Sequence, residues 1–298
     1  MLKELITLSD SLDRLGKIQA SNEVDLLIKE SAKKKTKKRT PTNKNLWSRA
    51  KAEAKKRFKV YPCVPVKDSY ALTKAGWTKY DDLKVGDEIV VYNTIDGNLL
   101  FDEIKQLHFY KNAELVRIKD LEGGFDFLST RDHKWVVNGE YPQLIKLKDL
   151  ESGMDIITSS ELDECEFKTN VVNNFMTAVG VKTISELQLL AEDGLILKFK
   201  NKKIFENIVL GSAILGFRIV KQGDIAVIFK QNVEPFDLLE VFNAGSSDVW
   251  CPETSHGTWL MRQGDLVTIT GNSAYANGWA VRWYKEHGGG WRGPKPLK

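Results

Sequence analysis

The spacing of apolar residues changes at Cys63, and this change constrains the fold more than any other feature of the sequence. Residues 2–31 carry apolar side chains at helical spacing. A separate, basic stretch of helical character follows and ends at Pro62. From Cys63 onward, β-rich runs such as "EIVVYN" and "FDFLSTRDHKWVV" alternate with turn residues. We therefore expect a mainly β fold that begins at Cys63 and follows short basic helical segments.

The charged residues divide the chain at the same place. Residues 1–62 hold 17 Lys and Arg against 7 Asp and Glu, and residues 273–298 hold 5 against 1. The stretch 63–272 holds 22 Lys and Arg against 32 Asp and Glu, so an acidic segment interrupts a basic protein. Two flanks that resemble each other and differ from the centre indicate one protein inserted into another.

The composition also limits the class of protein. No apolar run approaches the ~18 residues of a membrane span, and the N-terminal stretch lacks the apolar core of a signal peptide. Three cysteines, an odd number without metal-ligand spacing, favour free thiols in a reducing cytosol over a disulfide framework. We therefore expect a cytoplasmic, monomeric protein with no membrane partner.

The acidic segment contains a repeated sequence frame and, separately, a stretch whose residue pattern differs from the rest of the segment. The frame D-L-x-x-G-x-x-I occurs at residues 82–89 and again at 149–156, which hints at a duplicated β unit. Between 160 and 232 the pattern changes to helical stretches and a hairpin with its turn at Gln222-Gly223-Asp224. We expect a small α/β insertion there.

Four short features of the acidic segment carry candidate chemistry. Each alone has an ordinary structural interpretation, as a buried thiol, a hydrogen-bonded histidine or a turn. Their placement at both edges of the segment favours a chemical role. The residues are Cys63; Thr130, Asp132, His133 and Trp135 in "TRDHKW"; Cys251 and His256 in "DVWCPETSHGT"; and Thr270, Gly271, Asn272 and Ser273.

These motifs, in this order, resemble those of an intein, a self-excising protein-splicing element. The similar stretches are "CVPVKDSYALTKAGWTKYDDLKVGDEIVVYN", "FLSTRDHKWVV" and "VWCPETSHGTWLMRQGDLVTITGNS", and they cover about 63–157 and 235–273. The resemblance implies a compact all-β horseshoe, the Hint fold, with both junctions at its centre and no metal or cofactor. The expected segments are host residues 1–62 and 273–298, the Hint halves 63–159 and 233–272, and the insertion 160–232.

A finer resemblance is to the class 3 inteins, which are associated with phages. Trp135, Cys251 and Thr270 stand at the three positions that mark this class. In that class Cys251 attacks the upstream junction directly, whereas Cys63 holds the first position of the segment, so the first nucleophile stays open between these two thiols. Two further positions concern histidines: Gly271 stands where many inteins have His, and His256 is the expected His of the next-to-last motif.

The resemblance implies a role for each remaining residue. His133 protonates the leaving amide nitrogen, and Thr130 orients the scissile peptide or contributes to an oxyanion site. The acyl group then passes from sulfur to the hydroxyl of Ser273, and cyclisation of Asn272 cuts the bond before Ser273. An ester-to-amide rearrangement finally joins Pro62 to Ser273. The flanking segments are thus the substrate, and no turnover follows.

The insertion and the host carry weaker signals. Inteins often hold a homing endonuclease where 160–232 lies, and "ELQLLAEDG" faintly resembles a LAGLIDADG helix, but a single copy favours a relic or structural insert. The joined host would have 88 residues with a net charge of +14 and resembles a small basic domain of phages and large DNA viruses. That charge favours nucleic-acid binding in an infected bacterial cell. The alternative is a nucleic-acid-binding protein whose Hint insertion is splicing-inactive or only cleaves.

Overall fold

A computed structural model of the chain describes residues 63–121 and 123–271. These residues belong to one compact unit, Val60–Ser273. The predicted helical segments of 1–62, the host segment 273–298, and the site residues Asn272 and Ser273 lie outside the described residues.

The predicted mainly β class and the small α/β insertion are confirmed. In chain order the strands are β1 (Val64–Pro65), β2 (Ser69–Thr73), β3 (Gly76–Lys79), β4 (Glu88–Asn93), β5 (Asn98–Glu103), β6 (Gln106–Asp120), β7 (Asp126–Ser129), β8 (Lys134–Val137), β9 (Gln143–Lys146), β10 (Asp155–Ile157), β11 (Leu195–Lys198), β12 (Arg218–Gln222), β13 (Ile225–Phe229), β14 (Val233–Pro235), β15 (Leu239–Glu253), β16 (Thr258–Gln263) and β17 (Leu266–Gly271). The helices are α1 (Glu166–Val179), α2 (Ile184–Leu190) and α3 (Lys202–Ile214).

The described residues form three sheets, one of which, with the order β11-β13-β12, belongs to the insertion. A four-stranded sheet has the order β1-β15-β6-β7, and β6 and β15 form a long antiparallel ribbon in it. A ten-stranded sheet has the order β14-β10-β8-β17-β16-β2-β4-β5, with β3 beside β2 and β9 beside β8. The first strand of the acidic segment, β1, therefore lies beside β15, and its last strand, β17, lies beside β8. The short connection from β7 to β8, residues 130–133, runs between these two sheets.

The repeated sequence frame has the same local structure in both copies. Each copy begins at a short 3-10 helix, and a glycine with positive φ follows, Gly86 at 96° and Gly153 at 83°. This left-handed conformation favours glycine because it has no Cβ. The isoleucine that ends each copy, Ile89 or Ile156, is fully buried on a strand of the ten-stranded sheet. The repeated sequence frame therefore corresponds to a repeated structural unit.

The insertion leaves and rejoins the ten-stranded sheet at neighbouring strands, because β10 pairs with β14. Its hairpin turn follows the prediction, except that Gln222 still belongs to β12. Helix α2 ends at Leu190, before Gly194. The backbone turns there because Gly194 has φ +93°, and the chain continues into β11.

The insertion shares its hydrophobic core with the sheet. Phe175 of α1 and Ile208 of α3 lie in one buried cluster with Leu99 of β5, Val136 of β8 and Ile269 of β17. Burial of such side chains stabilises the fold by about 1.5–3 kcal/mol each. The insertion is thus packed into the fold rather than attached to its surface.

Buried ion pairs join the insertion to the sheets as well. The guanidinium of Arg218, on β12, donates to Asp120 at 2.8 Å and contacts Glu234. Asp120 also accepts backbone N–H groups of the β6–β7 turn, including that of Phe125 at 3.0 Å. Both carboxylates are more than nine-tenths buried. A buried pair of this kind is costly to break, because loss of one partner leaves a buried charge uncompensated.

Candidate active site

The two junction-proximal thiols face each other in the four-stranded sheet. Val64 pairs with Trp250, so Cys63, one residue earlier, lies opposite Cys251. Both thiols are fully buried, and their Sγ atoms are 3.1 Å apart. Burial, and then the hydrogen bond and charge interaction with Cys251, raise the pKa of the Cys63 thiol well above its ordinary value. The thiol of Cys63 therefore stays protonated at neutral pH.

Thr130 holds the backbone of Cys63 from both sides. The Cys63 N–H donates to Thr130 Oγ1 at 3.1 Å, and the Thr130 N–H donates to the Cys63 carbonyl at 2.9 Å. Thr130 comes directly after β7, which places it beside the start of β1. The nitrogen of Cys63 belongs to the peptide bond with Pro62, so the predicted leaving nitrogen has a fixed direction.

His133 lies at the other end of the same connection and contacts the last strand. Its N–H donates to the Thr130 carbonyl at 2.9 Å, which closes a turn over residues 130–133. The His133 Nε2 contacts the Thr270 hydroxyl, and that hydroxyl also donates to the Lys134 carbonyl at 3.3 Å. His133 and Thr270 are fully buried. One four-residue turn therefore contacts both edges of the acidic segment.

Trp135 supports this arrangement from the core. It is fully buried, pairs with Thr270 across β8 and β17, and packs edge-on against the His133 ring at 5.2 Å between centroids. Phe125 and Phe127 lie on its other side at 5.4 and 6.0 Å. The aromatic cluster fixes the orientation of the imidazole. Trp135 and Cys251 belong to separate buried clusters.

His256 is not brought to this site by its contacts. Its Nδ1 pairs with Asp102 Oδ2 at 2.9 Å, and the Ser255 N–H donates to the same oxygen at 2.8 Å. Burial alone would raise the pKa of Asp102, but the hydrogen bonds from His256 and Ser255 outweigh burial and lower the pKa. The pair stabilises the turn between β15 and β16.

Asp132 is the other charged residue of the "TRDHKW" motif, and it faces two lysines rather than the thiols. Its carboxylate lies 3.0 Å from the Lys148 ammonium and 3.6 Å from that of Lys146. The carboxylate raises the pKa of Lys148 through its hydrogen bond. Asp132 therefore anchors the 130–133 turn to the segment after β9.

Gly271 closes β17 rather than forming a turn. It pairs with Thr258 of β16. A Cβ at this position would come 2.5 Å from Leu144 Cδ2, 2.9 Å from Lys134 Cβ and 3.2 Å from the Lys134 carbonyl oxygen. The position has no room for a side chain, so a histidine before Asn272 does not fit. The interpretation of Gly271 as simple turn chemistry is corrected.

Sequence reasoning missed a further histidine beside the thiols. Cys251 pairs with His108 across β15 and β6, and His108 Nε2 lies 2.9 Å from Glu253 Oε2. The side chain of His108 is 10% exposed. Nothing in the sequence marks His108 as chemical, because its proximity to Cys251 depends on the register of two strands more than 100 residues apart.

Within the described ranges, no group of three or more His, Cys, Asp or Glu side chains is placed to hold a metal ion. Among the helices of residues 63–121 and 123–271, none is long and apolar enough to cross a membrane.

Comparison with known proteins gives structural likeness only. No family model and no curated sequence matches the chain. Three solved structures to which it is similar are a splice-inactive variant of the AceL NrdHF class 3 split intein linked to GSH (TM-score 0.41, 11% identity, 70% of this chain and 98% of the other), a DnaB intein from Synechocystis sp. PCC 6803 (0.38, 10%, 71% and 98%) and a bacterial intein-like domain from Clostridium thermocellum (0.37, 11%, 70% and 98%). Because these likenesses are low, the function proposed below rests on the chain's own geometry.

Proposed function

We propose that this chain is a protein-splicing precursor that excises residues 63–272 and joins Pro62 to Ser273. The observation that carries the proposal is the turn 130–133, which binds the backbone of Cys63 through Thr130 and the hydroxyl of Thr270 through His133. Two edges of a segment more than 200 residues long thus meet at one turn. Groups held in this way reach effective molarities on the order of 10⁵–10⁸ M.

Cys251 is the first nucleophile in this scheme. The assignment follows the resemblance to class 3 inteins, in which the thiol at the position of Cys251 attacks the upstream junction directly. The Sγ of Cys251 lies 3.1 Å from that of Cys63, beside the peptide bond that is to break. Attack on the Pro62 carbonyl forms a thioester on Cys251 and releases the nitrogen of Cys63.

Thr130 and His133 act on the departing nitrogen. Thr130 fixes the direction of the Cys63 N–H and of the Cys63 carbonyl. His133 is fully buried and contacts Thr130 and Thr270, and a buried imidazole delivers a proton without competition from bulk water. In the second half of the scheme the acyl group moves to the Ser273 hydroxyl, and Asn272 then cyclises. Thr270 stands two positions before Asn272, and His133 contacts the Thr270 hydroxyl.

Intact mass after expression of the full chain in bacteria tests the proposal. The expected products are the excised segment 63–272 and one ligated chain of residues 1–62 and 273–298. Full-length protein alone would contradict splicing. Two flanking fragments without a ligated product would indicate cleavage only, which is the alternative function.

The spliced host is proposed to bind nucleic acid in the cytoplasm. Its net charge of +14 on 88 residues attracts phosphate, and such binding weakens steeply with salt. Electrophoretic mobility shifts of purified ligated product at about 50 and 200 mM salt test this. Equal affinity at both salt concentrations, or no shift, would contradict it.

The insertion is proposed to be structural, without nuclease activity, since it shares the core of the sheet.

A further inference from the structure

Three side chains lie in one row across the four-stranded sheet. Cys63 precedes β1 and lies opposite Cys251 on β15, and Cys251 pairs in turn with His108 on β6. Residues directly opposite each other on antiparallel strands project to the same face, with Cβ atoms about 4.5–5.5 Å apart. Cys251 therefore has the junction on one side and an imidazole on the other.

Glu253 fixes the tautomer of that imidazole. An ionised carboxylate only accepts hydrogen bonds, so the Nε2 of His108, 2.9 Å from Glu253 Oε2, carries the hydrogen. In the neutral ring Nδ1 is then the proton acceptor. Among the described residues, Nδ1 of His108 makes no hydrogen bond, and the Cys251 thiol contacts Cys63 instead, so the proton transfer proposed below follows rotation of that thiol from Cys63 toward His108. Such an oriented carboxylate–imidazole pair is the arrangement that activates a nucleophile in acyl-transfer sites.

We propose that His108, oriented by Glu253, accepts the proton of the Cys251 thiol at the start of splicing. The inference rests on the proposed function and adds a residue to it. The Sγ–H proton passes to Nδ1 of His108, and the thiolate forms a bond to the Pro62 carbonyl carbon. The bond from that carbon to the Cys63 nitrogen breaks, and the nitrogen takes its proton from His133. When the acyl group passes to the Ser273 oxygen, the hydroxyl proton of Ser273 goes to His133, and Cys251 recovers its own proton from His108.

The rate of the first step depends on the protonation state of His108 if this imidazole is the proton acceptor. The titratable groups that face it are Glu253 and Cys251 on β15, Tyr110 two residues along its own strand, and Cys63 beyond Cys251. Protonation of His108 removes the acceptor, so the first step slows toward low pH. A purely structural His108–Glu253 pair would lower the rate by the same factor at every pH.

The test measures the first step alone in the full chain. In an Asn272→Ala parent, release of residues 1–62 by saturating hydroxylamine reports acyl formation, and mass spectrometry follows it between about pH 6 and pH 9. His108→Asn is expected to release the fragment about 10²-fold more slowly than the parent near pH 7. The difference is expected to narrow as the pH rises, because hydroxide in solution then takes over the removal of the thiol proton.

Two further variants separate chemistry from folding. Glu253→Gln keeps an oxygen for the Nε2–H but loses the charge, so we expect about a tenfold loss near neutral pH. Glu114→Gln, the same change at an exposed position of the same β6–β15 ribbon, is the matched control and is expected to match the parent. Thermal unfolding identifies any variant that fails to fold, and Glu253→Gln then carries the test.

The outcomes distinguish the two proposals. If the parent releases no 1–62 fragment at any pH, the splicing function fails and this inference falls with it. If the parent releases the fragment but a folded His108→Asn shows a ratio to the parent that does not change with pH, the role of His108 is overturned while splicing stands. A ratio that rises with pH supports the role.

Discussion

The Sγ atoms of Cys63 and Cys251 lie 3.1 Å apart, although 188 residues separate the two thiols in the chain. The sheet order β1-β15-β6 produces this contact, because it places the first residue of the acidic segment opposite Cys251, near one end of the ribbon. A splicing reaction needs this proximity, because the fold has already lost the chain entropy that bringing the two residues together would otherwise cost during acyl transfer.

Replacing the two thiols separately identifies the first nucleophile. Cys251→Ala is expected to abolish both ligation and release of residues 1–62, because the attacking sulfur is lost. Cys63→Ala is expected to keep splicing within about tenfold, since the proposed attack does not use the sulfur of Cys63. Intact mass of the two variants measures this. Splicing by Cys251→Ala with none by Cys63→Ala would reverse the assignment.

Asn272→Ala removes the cyclising amide. In the variant, residues 273–298 are expected to stay attached to the segment, because alanine has no side-chain amide to attack the carbonyl of residue 272. Gel electrophoresis and mass of the product measure the loss of the ligated chain. An unchanged amount of ligated product would rule out the role of Asn272.

Enlarging Gly271 is expected to destabilise the site. Gly271→Ala brings a Cβ within 2.5 Å of Leu144 Cδ2 and 2.9 Å of Lys134 Cβ, so we expect a loss of about 1–3 kcal/mol of unfolding free energy. Adding Leu144→Ala relieves only the first contact and is expected to restore part of what the overpacking at Gly271 costs. Urea unfolding of the single and double variants measures this. A Gly271→Ala variant as stable as the parent would contradict the closed geometry.

Breaking the buried ion cluster between the insertion and the sheets is expected to be costly. Arg218→Met leaves Asp120 and Glu234 without their cation, and we expect a loss of about 3–5 kcal/mol. Lys198→Met removes a cation from an exposed pair with Asp224 in the same insertion and is the control, with an expected loss of about 0–1 kcal/mol. Equal effects in urea unfolding would contradict the integration of the insertion.

The raised pKa of Cys63 predicts a stability loss at alkaline pH. An unfolded thiol ionises near pH ~8.5, so above this pH the unfolded chain releases a proton that the folded chain retains. The free energy of unfolding therefore falls as pH rises past that value. Urea unfolding from about pH 7.5 to pH 9.5 in an Asn272→Ala parent, with and without Cys63→Ala, measures this. The steeper decline is expected in the chain that keeps Cys63; parallel declines would contradict the prediction.

The sequence by itself determined the mainly β class and the place of the α/β insertion. Both follow from local information: apolar spacing, turn residues and charge reveal where the pattern changes. The repeat of D-L-x-x-G-x-x-I was also visible, because Gly86 and Gly153 need the same positive φ in both copies. The motif residues Thr130, His133 and Thr270 were named from the sequence, and the structure brings these three together.

Only the tertiary structure decided which side chains surround the thiol of Cys251. Strand register places His108 opposite Cys251, and a shift of one residue would turn the His108 side chain to the other face of the sheet. His256 lies in the turn between β15 and β16, where it pairs with Asp102. The space at Gly271 depends in the same way on Leu144, a residue far away in the chain. Local pattern therefore specifies the elements, whereas the contacts that determine chemistry arise from pairings between strands distant in sequence.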